Sequence, residues 1–388
     1  MRNVLIGLVI GIVFIFAMVS LAAAQRSEES TVEGLNGSKV CTTRLQLRHP
    51  QRCSNAGARE TLTDLVIEGV YPEHPLPVTR VDPSLGDVPF SYVRSGRKKG
   101  TPLYNDLSNA IKGKGSYRKI DPGFVYFSWI DLVKQDGEVA YMIAPGVYVR
   151  GDGMSRLSAL PSFHGVALSR TPDRPFAWVL GNVESREGAG SDQPKTGRWW
   201  FRYELVWVYD VEKIGDWNWY RVGPEDWIEQ RLLGIVYPDP NRPEGIPDNR
   251  WISINLYEQT VAIYEEGELI YATLVSSGLQ GWWTRPGVFQ VFEKLESDFM
   301  GGSFEADRSD YYYLEDVPWI LYFDEARALH GAYWHNGFGY PRSHGCVNLS
   351  LTDANWIFNW AQEGTWVYVF DPSGETPTDP AAYGAGGA

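Results

Sequence analysis

Apolar residues run almost without interruption from Val4 to Ala24, with Ser20 the only polar break, and then stop at Gln25-Arg26-Ser27-Glu28-Glu29. A run of this length has to engage a membrane, either as a signal peptide or as a spanning anchor. Both readings stay open for residues 1–24. From residue 25 to 87 no period is sustained and aromatic residues are few, so this stretch reads as a polar spacer. From about Phe90 the pattern changes to short β-type runs at Gly123 to Ile130, Glu138 to Ile143 and Gly146 to Val149, with Asp136-Gly137 as a hairpin turn. A similar order recurs over Glu204 to Tyr209, Gly215 to Val222 and Trp227-Ile228. Four prolines between Tyr237 and Pro247 break any strand or helix there, marking a linker over 237–249. Strands are predicted again at Trp251 to Leu256, Thr260 to Tyr264 and Leu269 to Val275, the last two joined through Glu266-Gly267. Ser350 and Asp353 form a helix-start pattern ahead of Ala354, Ile357, Phe358 and Ala361 on one face. A final strand runs from Trp366 to Phe370, and the Pro-, Gly- and Ala-rich tail over 372–388 is expected to be disordered.

The 388 residues, 44% of them hydrophobic, are enough for two or three cores. The charge of −13, from 35 basic and 48 acidic residues, disfavours nucleic acid as a partner. Positive charge ahead of the N-terminal run places the rest of the chain outside the cytoplasm. An extracytoplasmic chain with three cysteines has one left over. Cys41 and Cys53 are the natural disulfide pair, and Cys346 is then free.

Three of the six histidines cluster with that cysteine in the stretch His330 to Cys346, HGAYWHNGFGYPRSHGC. A thiol becomes a nucleophile as thiolate, and His330 and His344 are the bases at hand. Gly345 removes a side chain beside the nucleophile, where backbone amides can approach an oxyanion. A zinc site from His330, His335, His344 and Cys346 has suitable ligand types but no recognised ligand spacing.

His330 followed by Ser343-His344-Gly345-Cys346 closely resembles the signature of the L,D-transpeptidase family with YkuD-like catalytic domains. The resemblance extends upstream through Tyr313-Leu314-Glu315-Asp316-Val317-Pro318-Trp319 and Met300-Gly301-Gly302 to about Arg250. It implies a compact β-sandwich over 250–371 and a cysteine acyltransferase acting on peptidoglycan stem peptides, donor and acceptor, with no cofactor or metal. Cys346 is then the nucleophile, His330 the general base, and Gly331 the residue whose carbonyl orients the imidazole. The amides around Gly345 and Cys346 would form the oxyanion hole. His344 shapes the site, with exchange of roles with His330 as the second choice. Tyr313, Ser343, Asn348, Trp334 and Met300 are the expected substrate-side residues, with Met300 to Ser303 in a mobile lid, and His335 is left as a loop histidine. Thr284-Arg285-Pro286-Gly287 departs from the family's Thr-Pro-x-Gly turn by a shifted proline.

Two upstream stretches, 88–157 and 163–236, look like divergent SH3-like small barrels. The chain is thus expected to be mainly β, with two such modules ahead of the catalytic domain. Most of the tryptophans in the second stretch (Trp199, Trp200, Trp207, Trp217, Trp219 and Trp227) are expected in its core, with stacking on sugars as the alternative. The expected product is a cross-link between third stem residues with release of D-alanine, in the cell envelope. Water as acceptor would make the same site an L,D-carboxypeptidase, and a non-catalytic wall-binding protein is the alternative of a different class.

Overall fold

A computed structural model of the chain describes residues 31–33, 39–41 and 76–383. The N-terminal apolar segment and Cys53 lie outside the described residues, so neither the anchor nor the Cys41–Cys53 pairing is addressed. The chain divides into two units. In the smaller one, Thr31–Glu33 pairs with Lys39–Cys41, and Asp210–Ile214 pairs with Trp217–Arg221. Ser185 there donates to Asp226 at 2.6 Å, and Arg186 lies opposite Trp227.

The larger unit is mainly β. Its first strands relevant to the site are β1 (Ser91–Ser95), β2 (Phe124–Trp129) and β3 (Val166–Leu168). Then follow β4 (Arg250–Asn255), β5 (Thr260–Glu265), β6 (Glu268–Leu274), β7 (Gly287–Gln290), β8 (Glu293–Gly302) and β9 (Tyr312–Asp324). After β10 (Arg327–Gly331) and β11 (Val347–Leu349) come helix α1 (Leu351–Trp360) and β12 (Trp366–Phe370). One seven-stranded sheet has the order β7-β12-β4-β5-β6-β3, closed by Val78–Thr79. The other runs from Met154–Arg156 through β1, β2, β9 and β10 to β11, with β8 paired along β9.

Side chains from both sheets share one core. Ile252, Ile254, Val261, Ile263 and Tyr271 of the first meet Leu321, Phe323, Leu329, Val347 and Leu349 of the second. Ala354, Ile357 and Phe358 of α1 enter the same core, which is the stripe that the sequence pattern implies. Ser350 caps the helix by accepting from the Asp353 amide. Both hairpin turns have the expected chemistry: Asp136-Gly137 and Glu266-Gly267 carry positive φ at both positions, as a two-residue type I′ turn requires.

Each upstream stretch holds a five-stranded sheet made only of its own strands, and each also contributes strands to the two seven-stranded sheets. β2 pairs in parallel with the start of β9, and β3 pairs with β6. Tyr313 of β9 fills a core made otherwise by Val93, Leu103, Ile120, Val125, Phe127, Tyr141 and Val149. Phe176, Trp178 and Val236 cover the outer face of the first sheet, with Ile246 of the proline-rich linker buried among them. The 237–249 segment is otherwise largely exposed, tied down at Ile246 and at Asp239, whose N donates to Tyr264 OH at 3.0 Å. The end of the expected spacer is packed: Val81 is in the central core, and Asn355 of α1 donates to Leu85 O at 2.9 Å. The tail departs from the expected disorder as far as Tyr383, whose ring lies 5.2 Å from the Arg327 guanidinium. Of the tryptophans, Trp219 and Trp227 are buried, whereas Trp199 and Trp217 are exposed.

Candidate active site

Cys346 stands immediately before β11, on a turn held by its neighbours. Ser343 Oγ accepts from Gly345 N at 3.1 Å and donates to the Cys346 carbonyl. Thr284 Oγ1 donates to Gly345 O at 2.8 Å and accepts from Gly278 N at 3.0 Å. The Ser343 amide donates to Ser277 O at 3.0 Å. Gly345 has φ 125°, which only glycine adopts without strain, and a Cβ there would crowd Arg327 Nε at 3.3 Å. Of the amides expected around the oxyanion hole, that of Gly345 points to Ser343 Oγ.

The thiol is buried, with Sγ 3.7 Å from the Ala326 carbonyl. Burial pushes its pKa up to about 11, partly offset by the Ala328 amide and the Arg327 charge. His330 lies on β10, and the parallel register places it opposite Asn348 of β11. Cys346 precedes Asn348 by two residues, and the two side chains alternate to one side with His330. Nδ1 of His330 faces its neighbour's carbonyl, Gly331 O, at 3.3 Å, leaving Nε2 as the acceptor. Burial lowers the His330 pKa to about 4. At neutral pH the pair is therefore an uncharged thiol and an uncharged imidazole.

The other expected residues divide. Met300 is buried in the same cluster as Cys346. The Trp334 ring is 5.7 Å from His330. Tyr313 points to the opposite side, its hydroxyl donating to Glu315 at 2.8 Å. It is Tyr312 that faces the cysteine: it belongs to the Cys346 cluster, and its buried hydroxyl has no hydrogen-bond partner among the described residues. His344 lies flat against Trp282 at 4.2 Å and faces Tyr312 at 5.1 Å, with Nε2 3.6 Å from Asp310. His335 is more than a loop histidine. Its Nδ1 accepts from Gly337 N at 3.1 Å, so Nε2 carries the proton, and the Asn348 side-chain amide 3.1 Å away accepts it once its O and N are exchanged, which also gives the otherwise unpartnered amide oxygen a donor. Burial lowers its pKa to about 3. Asn348 is also tied through its backbone to Ser276, at 2.9 and 3.0 Å.

Arg327 was missed by sequence reasoning. It is buried, pairs with Asp324 at 3.0 Å, and Asp324 in turn holds Arg285 Nε at 2.9 Å. Its signal was an arginine inside the apolar run of β10.

Residues 249–369 match the family model of the YkuD L,D-transpeptidase catalytic domain. The C-terminal third of this chain is an L,D-transpeptidase family catalytic domain. Among curated proteins, YciB of Bacillus subtilis, which bears an L,D-transpeptidase name, is 24% identical over 163 residues, 37% of this chain and 74% of that one. Among solved structures, an L,D-transpeptidase from Stackebrandtia nassauensis is 25% identical, with 34% of this chain and 60% of that chain covered and a TM-score of 0.26. The catalytic domain of the E. faecium L,D-transpeptidase is 26% identical, with 32% of this chain and all of that one covered and a TM-score of 0.29.

Proposed function

We propose that this chain is an envelope L,D-transpeptidase that joins third residues of peptidoglycan stem peptides through a thioester on Cys346. The observation that carries this reading is the His330 imidazole, held at Nδ1 by the Gly331 carbonyl and placed on the same sheet face as the Cys346 thiol. As Sγ attacks the carbonyl of the third residue, its proton passes to His330 Nε2. The new C–S bond forms, the C–N bond to the terminal D-alanine breaks, and the imidazolium returns the proton to the departing amine. A side-chain amine of a second stem then attacks the thioester, giving its proton to His330 and restoring the thiol. The Tyr312 hydroxyl, buried beside Cys346 without a partner, is the donor available to the reacting carbonyl. Asn348 and His335 hold β11 in place, and His344 with Asp310 shapes the wall.

An extracytoplasmic location fits this substrate and the N-terminal apolar run, with the protein held at the membrane if that segment is retained. The test is mass spectrometry of the full chain incubated with a disaccharide tetrapeptide, with and without a second stem, beside Cys346→Ala. A cross-linked dimer lacking one D-alanine is expected, absent in the variant. Tripeptide alone, with the acceptor present, would replace transpeptidation by L,D-carboxypeptidation.

A further inference from the structure

The cysteine's sheet does not end with the catalytic domain. β2 and β1 extend it, and the register sets Phe124 beside Tyr312, Tyr126 beside Leu314, and Arg94 beside Tyr126. Tyr126, Tyr312 and Leu314 belong to the cluster that contains Cys346, so Phe124 and Arg94 lie on the face that carries the nucleophile. Ring contacts trace the same path. His330 is 5.7 Å from Trp334, Trp334 meets the edge of Phe124 at 6.5 Å, and the Arg94 guanidinium lies 5.8 Å from Phe124 and 5.9 Å from Tyr126. Phe124 is 36% exposed, Arg94 is exposed, and no carboxylate among the described residues pairs with that guanidinium.

We infer that Arg94, presented on Phe124 and Tyr126, is a specificity-determining residue that binds a carboxylate of the peptide substrate. This rests on the reading of Cys346 as a site for stem peptides. A guanidinium laid against two rings is held in one orientation before the ligand arrives, which lowers the ordering cost of a carboxylate bond. In a chain of net charge −13, an arginine without an acidic partner beside the site is a local attractor for an anion. The segment ahead of the catalytic domain would then supply part of the substrate wall.

The experiment measures calorimetric binding of two tetrapeptide stems, one with free carboxylates and one fully amidated, to full-length Cys346→Ala, alone and combined with Arg94→Gln or Arg94→Lys. Arg94→Gln is expected to weaken the free acid by roughly tenfold and leave the amidated peptide unchanged, with partial retention in Arg94→Lys. Unchanged affinity for the free acid, or equal loss for both peptides, overturns the assignment. Turnover of the free acid by the unmutated chain separates the two levels. If turnover is intact but Arg94→Gln binds normally, only the Arg94 role falls; if there is neither turnover nor binding, the stem-peptide reading falls with it.

Discussion

Alkylation of Cys346 distinguishes a neutral thiol–imidazole pair from a preformed thiolate–imidazolium pair. Burial raises the thiol from the ordinary 9.0 to about 11, and lowers the imidazole to about 4. So raised, the thiol at pH 7.5 holds about a hundredfold less thiolate than an ordinary cysteine, and alkylation by neutral iodoacetamide falls with it. The rate, followed by peptide mapping to separate Cys346 from Cys41 and Cys53, should climb through pH 9.5 without a plateau. His330→Ala is the decisive perturbation. An uncharged imidazole gives the thiolate no counter-charge, so alkylation should change by less than about threefold, while acyl transfer loses on the order of 10²–10⁴ with its general base. A plateau below pH 8, or a loss of alkylation in His330→Ala as large as the loss of turnover, would refute the neutral pair.

Two further outcomes concern stability. Asp353 is fully buried and accepts from Gly165 N and Tyr271 OH, each at 2.7 Å, and from Thr273 OH. Asp353→Asn turns an amide donor toward donors and should cost about 2–3 kcal/mol, read as a lower urea midpoint; an unchanged midpoint would show that the network carries little. Glu258 is buried with, among the described residues, the Ile235 amide at 3.0 Å as the sole donor to its carboxylate, and burial raises its pKa from 4.5 to about 7. Because the folded pKa lies above the unfolded one, its stabilising contribution is full below about pH 4.5 and is lost as pH rises through 7. Glu258→Gln should therefore flatten that part of the pH profile and add up to about 3 kcal/mol at pH 8; urea midpoints at pH 5 and 8 check the sign, and a variant weaker at pH 8 contradicts it.

The candidate chemistry was legible because it is local: His330, Gly331, Ser343, Gly345 and Cys346 fall in one short stretch whose residue types have few other uses together. Tyr312 was not. Three consecutive tyrosines at 311–313 give no alternation to read, and β9 bends at Asp316 and Trp319, two positive-φ residues that are not glycine. The capping pattern at Ser350 was readable, but the buried role of Asp353 depends on Gly165, far away in the chain. The union of the upstream stretches with the catalytic sheet did leave a trace. Val125, Tyr126 and Phe127 are consecutive and all buried, as in a strand covered on both faces. In the tail, abundant Pro, Gly and Ala conceal a single anchoring ring, Tyr383.

The turn that departs from the family pattern has a role in this electrostatic arrangement. Thr284 holds the Gly345 carbonyl, and the adjacent Arg285, standing where the family places proline, pairs with buried Asp324. Asp324 also takes Arg327, so two guanidinium groups share this carboxylate, with Glu325 a further acidic neighbour of Arg285. Arg327 packs against Gly345, which fixes its charge beside the nucleophile turn. It is insufficient to offset burial of the thiol, whose pKa stays raised. In the acyl transfer proposed for Cys346, its effect would come as negative charge develops on the reacting atoms, where a fixed cation in a water-poor site favours the transition state over the ground state. The shifted proline thus leaves Thr284 in place while freeing the next position to recruit the carboxylate that positions Arg327.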